Sequence, residues 1–410
     1  RTINDTLDGF KGFDVAGDQH VYFYGGAVKK SLIVAGKEGV VVKDNVSITG
    51  DGTKFVVGTE LSTNPGVARA ATNITNGGFT VESGKSVTLD GKNAKLSINV
   101  DQDVTLKNNA HIFVKGRDSL VKGDGIDTNV VVASHNGNLV LNNSATLEVV
   151  SGTPVHVDVN ANKVKLDAGA QLNSGNDTVG ALRVHTDEII TPTTDDNTTN
   201  IVGKSGLVIT RKTQGDLTLN NTAAGAGLHI TSDQLNGKLF GNQFVELVLG
   251  DDNSTAVMID GLEANNRVVV KTAESGKAVI GAGGLKVGTD GSGNPYNVTL
   301  TTGSIENPGG GTMEIGTGAA LNLYTNSIAN LGSAAAGGPS VTGTGTLGIG
   351  TFNGTKSIGL GDSATGDLLL TNNKFSNVFG TGFSHYSIGN DKQGTINVNH
   401  SSLTQNTTLQ

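Results

Sequence analysis

Apolar and polar positions alternate along the chain in short bursts. An apolar-x-apolar triplet followed by a polar turn recurs as Val87-Thr88-Leu89, Leu96-Ser97-Ile98, Val104-Thr105-Leu106, Leu139-Val140-Leu141, Val155-His156-Val157, Val164-Lys165-Leu166, Leu217-Thr218-Leu219 and Leu228-His229-Ile230. Period-2 alternation puts the outer two residues of each triplet on one face of a strand and the middle one on the other. The middle residues are mostly Thr, Ser, Lys or His, so one face is predicted buried and the other wet. Helical stripes at i, i+3, i+4 and i+7 are interrupted by Gly or β-branched runs. The pattern predicts short strands and tight turns.

The triplets repeat in longer units. Val104 to Val114 (VTLKNNAHIFV) overlays Leu139 to Val149 (LVLNNSATLEV) without a gap, at an offset of 35 residues, and VKLDAGAQL from Val164 to Leu172 is a looser third copy. Each is a strand, an Asn-containing or acidic corner, a small residue and a second strand. Such a unit cannot bury its apolar face alone, but stacked on its like it forms a continuous core. A second overlay, at 139 residues, matches Leu239 to Asp260 with Val378 to Asn399. It pairs Phe240 with Phe379, Phe244 with Phe383, Gly250 with Gly389 and Asp252 with Asp391, giving F-G-x-x-F-x-x-x-x-[LI]-G-[DN]-D twice.

Composition sharpens this picture. The 410 residues include 60 Gly, 6 Pro, 12 Phe, 5 Tyr and no Trp, and only 16% are charged, against roughly 25% in ordinary globular domains. Hydrophobic residues, 36% of the chain, are spread throughout, which argues against disorder. The net charge of −8 comes with both signs interspersed, so there is no basic footprint for nucleic acid. Apolar runs such as Val40 to Val42, Val130 to Ala133 and Val268 to Val270 are too short to span a bilayer. Arg1 to Phe10 lacks the features of a signal peptide, so the chain reads as a processed or excised piece. It has no cysteine, which suits a protein that crosses a periplasm and an outer membrane unfolded, and a long β-stack needs no disulfide staple.

The repeated F-G-x-x-F-x-x-x-x-[LI]-G-[DN]-D unit resembles the recurrent element of very large bacterial exoproteins of the filamentous-haemagglutinin type. The Gly-, Asn- and Thr-rich remainder is similar in texture to autotransporter passenger domains. The resemblance implies a β-helical adhesin on the surface of a Gram-negative bacterium, or secreted from it, by a two-partner or autotransporter route. The export partner or barrel would then lie outside this chain. No two-partner secretion motif is found near Arg1.

Candidate chemistry is sparse. A polysaccharide-acting β-helix enzyme needs two carboxylates at a defined separation. Asp251 with Asp252 and Asp195 with Asp196 are adjacent, so on a strand they point to opposite faces, and in a turn they are solvated corners. The histidines, among them His111, His135, His156, His185 and His229, are scattered without H-x-x-x-H or H-E-x-x-H spacing, which gives zinc no support. Gly123-Asp124-Gly125-Ile126-Asp127 and Asp290-Gly291-Ser292-Gly293-Asn294 are isolated acidic turns, not tandem calcium repeats, and incidental calcium is the most they suggest. G-x-S-x-G and P-loop patterns are missing. The N-x-[ST] triplets at Asn45, Asn73 and Asn197 and the Lys122-Gly123-Asp124 tripeptide read as products of composition. No catalytic, cofactor-binding or metal-binding residue is assigned, and no cofactor is expected.

The fold class expected is all-β: a right-handed parallel β-helix (β-solenoid), elongated, with roughly 18 to 25 residues per coil and loop excursions at the corners. The excursions expected are Thr191 to Asn200, Thr289 to Tyr296, Asn307 to Thr312 and Gly332 to Ser340. The organisation expected is an N-terminal solenoid segment over 1–190, a loop or boundary at 191–200 and a C-terminal segment over 201–410, or one continuous solenoid. The leading expectation for function is a surface adhesin that presents a polar face to host cells, glycans, matrix or other bacteria, with no nucleic-acid partner. A surface-layer or biofilm-matrix protein acting by self-association is the alternative, and a carbohydrate-active enzyme the second.

Overall fold

The outer residues of an apolar-x-apolar triplet leave water only by stacking on the same positions of another triplet, and the structure is built from such stacks. The computed structural model describes residues 2–3, 12–17, 20–58, 77–117, 128–149, 155–176, 178, 180–191, 200–220, 227–231, 234–235, 239–241, 243–290, 292–328, 340–390 and 394–410. These residues are nearly all β, and the named strands pair parallel. One short α-helix, Asn372–Asn377, stands among them. Most of the expected boundary at 191–200 and of the Gly332 to Ser340 excursion, together with Asp195, Asp196, Asn73, Asn197 and the Lys122 to Asp127 turn, lies outside the described residues. The chain forms two compact units, residues 1–213 with 237–245, and residues 214–236 with 246–410.

Three parallel ladders make up the first unit. One aligns Val21, Val40, Phe79, Val104, Leu139 and Val164 in direct register. The second aligns Val46, Val87, Ile112, Leu147, Leu172 and Ile201. The third aligns Leu32, Phe55, Leu96, Val130, Val157, Leu182 and Leu207. All these side chains are buried. The 35-residue overlay is itself a pairing register, since Val104 pairs with Leu139 and Val114 with Val149. The looser copy continues the stack through Val164 and Gln171.

Corners stack as well as strands. Asn109 and Ser144 adopt φ of 54° and 57°, and Gly84 and Gly169 take the same left-handed turn at 68° and 67°. Each corner amide reaches the carbonyl of the next: Gly84 N–H to Asn108 at 2.9 Å, Asn109 N–H to Asn143 at 2.9 Å, Ser144 N–H to Ala168 at 2.9 Å. The small residue of the repeat (Ala110, Ala145, Ala170) is fully buried just inside the turn.

In the first ladder, successive paired residues lie 19, 39, 25, 35 and 25 apart in sequence. The 39 and 35 exceed the expected 18 to 25. These two longer steps contain residues 59–76 and 118–127, which lie outside the described residues.

The second unit aligns Leu247, Val268, Val298, Leu321, Leu347 and Tyr386 in one ladder. Leu262, Leu285, Met313 and Val341 form another. At one corner Thr272, Thr302, Thr325 and Thr351 are fully buried. The Thr272 and Thr302 hydroxyls lie 2.9 Å apart, and the Thr325 hydroxyl donates to Ser327 O at 3.0 Å. A polar corner can be buried here because its oxygens have partners.

The F-G-x-x-F units are interior plugs. Phe240, Phe244, Phe379 and Phe383 are each 3% exposed or less. In each copy the second ring rests on a glycine of an earlier strand end. A Cβ on Gly203 would lie 2.9 Å from Phe244 Cε1, and one on Gly343 2.6 Å from Phe383 Cε1. The residue before the first Phe accepts from that same strand: Leu239 O from Ile201 N–H at 2.9 Å, Val378 O from Val341 N–H at 2.8 Å. Asp391 of the second acidic corner lies outside the described residues.

Candidate functional site

A concave polar surface of the first unit lies on the wet face of its first ladder. The outward row there runs His20, Gly39, Gly78 and then Asp103, the residue preceding Val104. The two glycines are dictated by backbone approach. Gly39 has φ +137°, a Cβ on it would lie 2.9 Å from Gly78 O, and a Cβ on Gly78 would lie 2.7 Å from Asp103 O. The row therefore has side chains at its ends and none in the middle. The result is a trough of about 430 Å³ with Val41, Thr80 and Thr105 on its floor.

Turn residues wall the trough. Glu38, Asp101, Gln102, Asp103 and Asn136 line it with His20. His20 Nδ1 is 3.2 Å from Glu38 Oε2. Asn136 Nδ2 donates to Asp101 Oδ1 at 2.6 Å, and Asn138 donates to Asp103 Oδ1 from its backbone N–H at 2.8 Å. His20 also stacks on Tyr22 with ring centroids 5.7 Å apart. Tyr22 in turn lies beside Tyr24, which is 49% exposed. Three carboxylates, two amides and an aromatic edge thus meet on one open surface.

A second polar cluster lies on the wet face of the third ladder. Asp158, 6% exposed, pairs with Arg183 at 3.2 Å. His185 Nδ1 contacts Thr210 Oγ1. His156 is 9% exposed, and its Nδ1 has no hydrogen-bond partner. Burial, reinforced by the Arg183 charge, pushes the His156 ring down from 6.5 to about 4. Nearby, Lys212 Nζ donates to Ser134 O and Asn162 Oδ1, each at 2.7 Å, and to His135 O. Burial holds that amine below the usual lysine range, against the pull of Asp187 and Asp101.

The His156 shift fixes a pH dependence. The folded state holds the ring neutral, so the unfolded chain takes up a proton first as pH falls. The stability conferred is complete above 6.5 and is lost as pH drops to about 4. Burial of His135 shifts it in the same direction. Discounted for solvent screening at the ring edge, the His156 share is roughly 2 kcal/mol. Urea midpoints should therefore fall between neutral pH and about pH 4.5, and His156→Gln should flatten that fall. An unchanged slope in the variant would refute the assignment.

The remaining residues singled out from the sequence are dispersed. Asp251 Oδ1 accepts the Asn253 N–H at 2.9 Å within a corner, and Asp252 is exposed beside it. Asp290 accepts the amides of Ser292 and Asn294 at 2.8 and 2.7 Å, which closes its turn. The Asn294 side chain, with these backbone bonds, holds its carboxyl below the usual range. His111 stacks on Phe113 at 5.3 Å, and His229 is the middle residue of Leu228–Ile230. Among the described residues no group of three or more potential ligands could hold a metal ion, and no helix is long and apolar enough to cross a membrane. Sequence reasoning missed the trough entirely; its only trace was a glycine directly before each of two apolar triplets, Gly39 alone and Gly78 after Gly77.

Comparison with protein-family models, curated proteins and solved structures found no match for this chain.

Proposed function

We propose that this chain is a segment of a right-handed parallel β-helix from a secreted or cell-surface bacterial adhesin, attaching through a polar face of its stacked coils. Support for the helical winding comes from in-register parallel ladders whose successive members are joined through the other ladders of the same unit. Right-handedness follows from the strong preference of parallel crossovers. Support for attachment comes chiefly from the trough, an open polar concavity of about 430 Å³. The lack of cysteine and the resemblance of the F-G-x-x-F units fit export to the cell surface.

The trough favours binding over turnover. A glycosidase general acid needs a carboxyl raised by an apolar pocket. Glu38 and Asp103 are instead exposed, and Asp101 and Asp103 each engage an asparagine. The convergence of three carboxylates nonetheless favours one second reading, a glycan-acting hydrolase.

The purified chain, fluorescently labelled, is expected to remain monomeric at high concentration with calcium present and to attach saturably to epithelial or bacterial cells. Ordered sheets or filaments formed unaided, without attachment, would replace the adhesin by a self-associating matrix protein. Release of reducing ends from cell-surface polysaccharide would favour the hydrolase.

A further inference from the structure

We propose that the trough between His20 and Asp103 binds a short, non-anionic oligosaccharide, an inference that rests on the adhesin reading and gives it a ligand class. Parallel strands repeat at about 4.8 Å, so the three steps from His20 to Asp103 span ~14 Å, the length of a few sugar rings. A cleft this open, lined by Thr80 and Thr105 beside Val40 and Val41, suits a polyhydroxylated ligand better than an apolar one. Sugar hydroxyls both donate and accept, and the walls offer both partners: the carboxylates of Glu38 and Asp101 accept, and the Gln102 amide does either. His20, stacked on Tyr22, supplies an aromatic edge at one end for the apolar face of a ring.

Charge sets the selectivity. Glu38, Asp101 and Asp103 line the trough, and among the residues lining it there is no Lys or Arg. Nearby Lys43 is turned to other partners: its Nζ lies 5.4 Å from the Tyr22 centroid and 3.4 Å from Glu82. A sialylated or sulfated glycan would bring like charge against these carboxylates with no Lys or Arg on the lining to meet it, whereas a neutral or amino sugar would not. The glycines between His20 and Asp103 keep the path clear.

The test uses the full chain on an array of neutral trisaccharides (chitotriose, maltotriose, cellotriose), with sialyllactose and sulfated disaccharides as anionic probes. Binding to at least one neutral probe, and at least ~10-fold weaker binding to every anionic probe, is expected. Thr80→Arg, which places a guanidinium among the trough carboxylates, should weaken neutral-glycan binding at least ~10-fold. Gln102→Ala, on an exposed turn, should weaken it without touching the ladder. Thr146→Arg, on the wet face of the second ladder, should change nothing. Preferential binding of anionic probes, no binding to any neutral probe, or wild-type binding by both trough variants would overturn the proposal. Cell attachment that survives in Thr80→Arg would place adhesion elsewhere on the molecule and leave the adhesin reading intact. No attachment by the wild-type chain would sink that reading instead.

Discussion

Lys212→Met should lower the unfolding free energy of the first unit by about 3 kcal/mol, although it changes one side chain on a loop and keeps most of its length. Lys212 Nζ donates to Ser134 O, His135 O and Asn162 Oδ1, joining positions 50 to 78 residues apart. Methionine keeps most of the stem and loses the ammonium, so up to three acceptors lose a charged donor in a part-buried site. Each such loss costs roughly 1–3 kcal/mol, less where water can enter. Lys212→Arg keeps the charge but puts a wide planar fork where a compact ammonium fits, and should recover only part of the stability. Urea denaturation followed by far-UV circular dichroism measures both variants. A loss under about 0.5 kcal/mol in the methionine variant would mean that water already serves these acceptors.

Nothing in the local sequence marks Lys212. It follows Arg211 in a turn, and its partners lie in two earlier segments, at Ser134–His135 and Asn162, whose spacing is set by turns of unequal length. The trough was hidden for the same reason. Steps of 19, 39 and 25 residues bring His20, Gly39, Gly78 and Asp103 into one row, and no fixed period in the sequence picks out that set. The strands themselves were legible, because a triplet such as Val104-Thr105-Leu106 carries its own inside and outside. So was their stacking, wherever two neighbouring steps had like corners, as at Asn109 and Ser144. Burial on the wet face was not legible: His156 looked like an exposed stripe residue, yet it is 9% exposed. Alternation says which face a residue is on, and it does not say what else covers that face.

The F-G-x-x-F duplication was legible only in part, and the structure extends it. Ile201, Gly203, Leu207 and Ile209 match Val341, Gly343, Leu347 and Ile349 at an offset of 140, as do Leu228, Ile230 and Thr231 with Leu368, Leu370 and Thr371. One extra residue before Leu239 shifts the later match to 139, so an ungapped overlay stops there. The two parts belong together physically, because the Phe rings of the later part need the glycines of the earlier one. Gly203 and Gly343 are thus the other half of the motif.

That pairing yields the largest stability effect expected in the second unit. Phe383→Ala should destabilise it by about 3–5 kcal/mol, since the ring is 1% exposed and its removal leaves a cavity on a backbone held by parallel ladders. Gly343→Ala should cost about 1–3 kcal/mol for the opposite reason, a Cβ forced to within 2.6 Å of the ring. The two changes are coupled. In Phe383→Leu the rim of the ring that meets Gly343 is gone, so adding Gly343→Ala to it should cost less than adding it to the wild type, with a coupling energy of about 1 kcal/mol or more. Urea midpoints of the four proteins in this cycle decide the matter. Simple additivity would mean that the ring moves aside freely, and the glycine would then owe its place to the backbone alone.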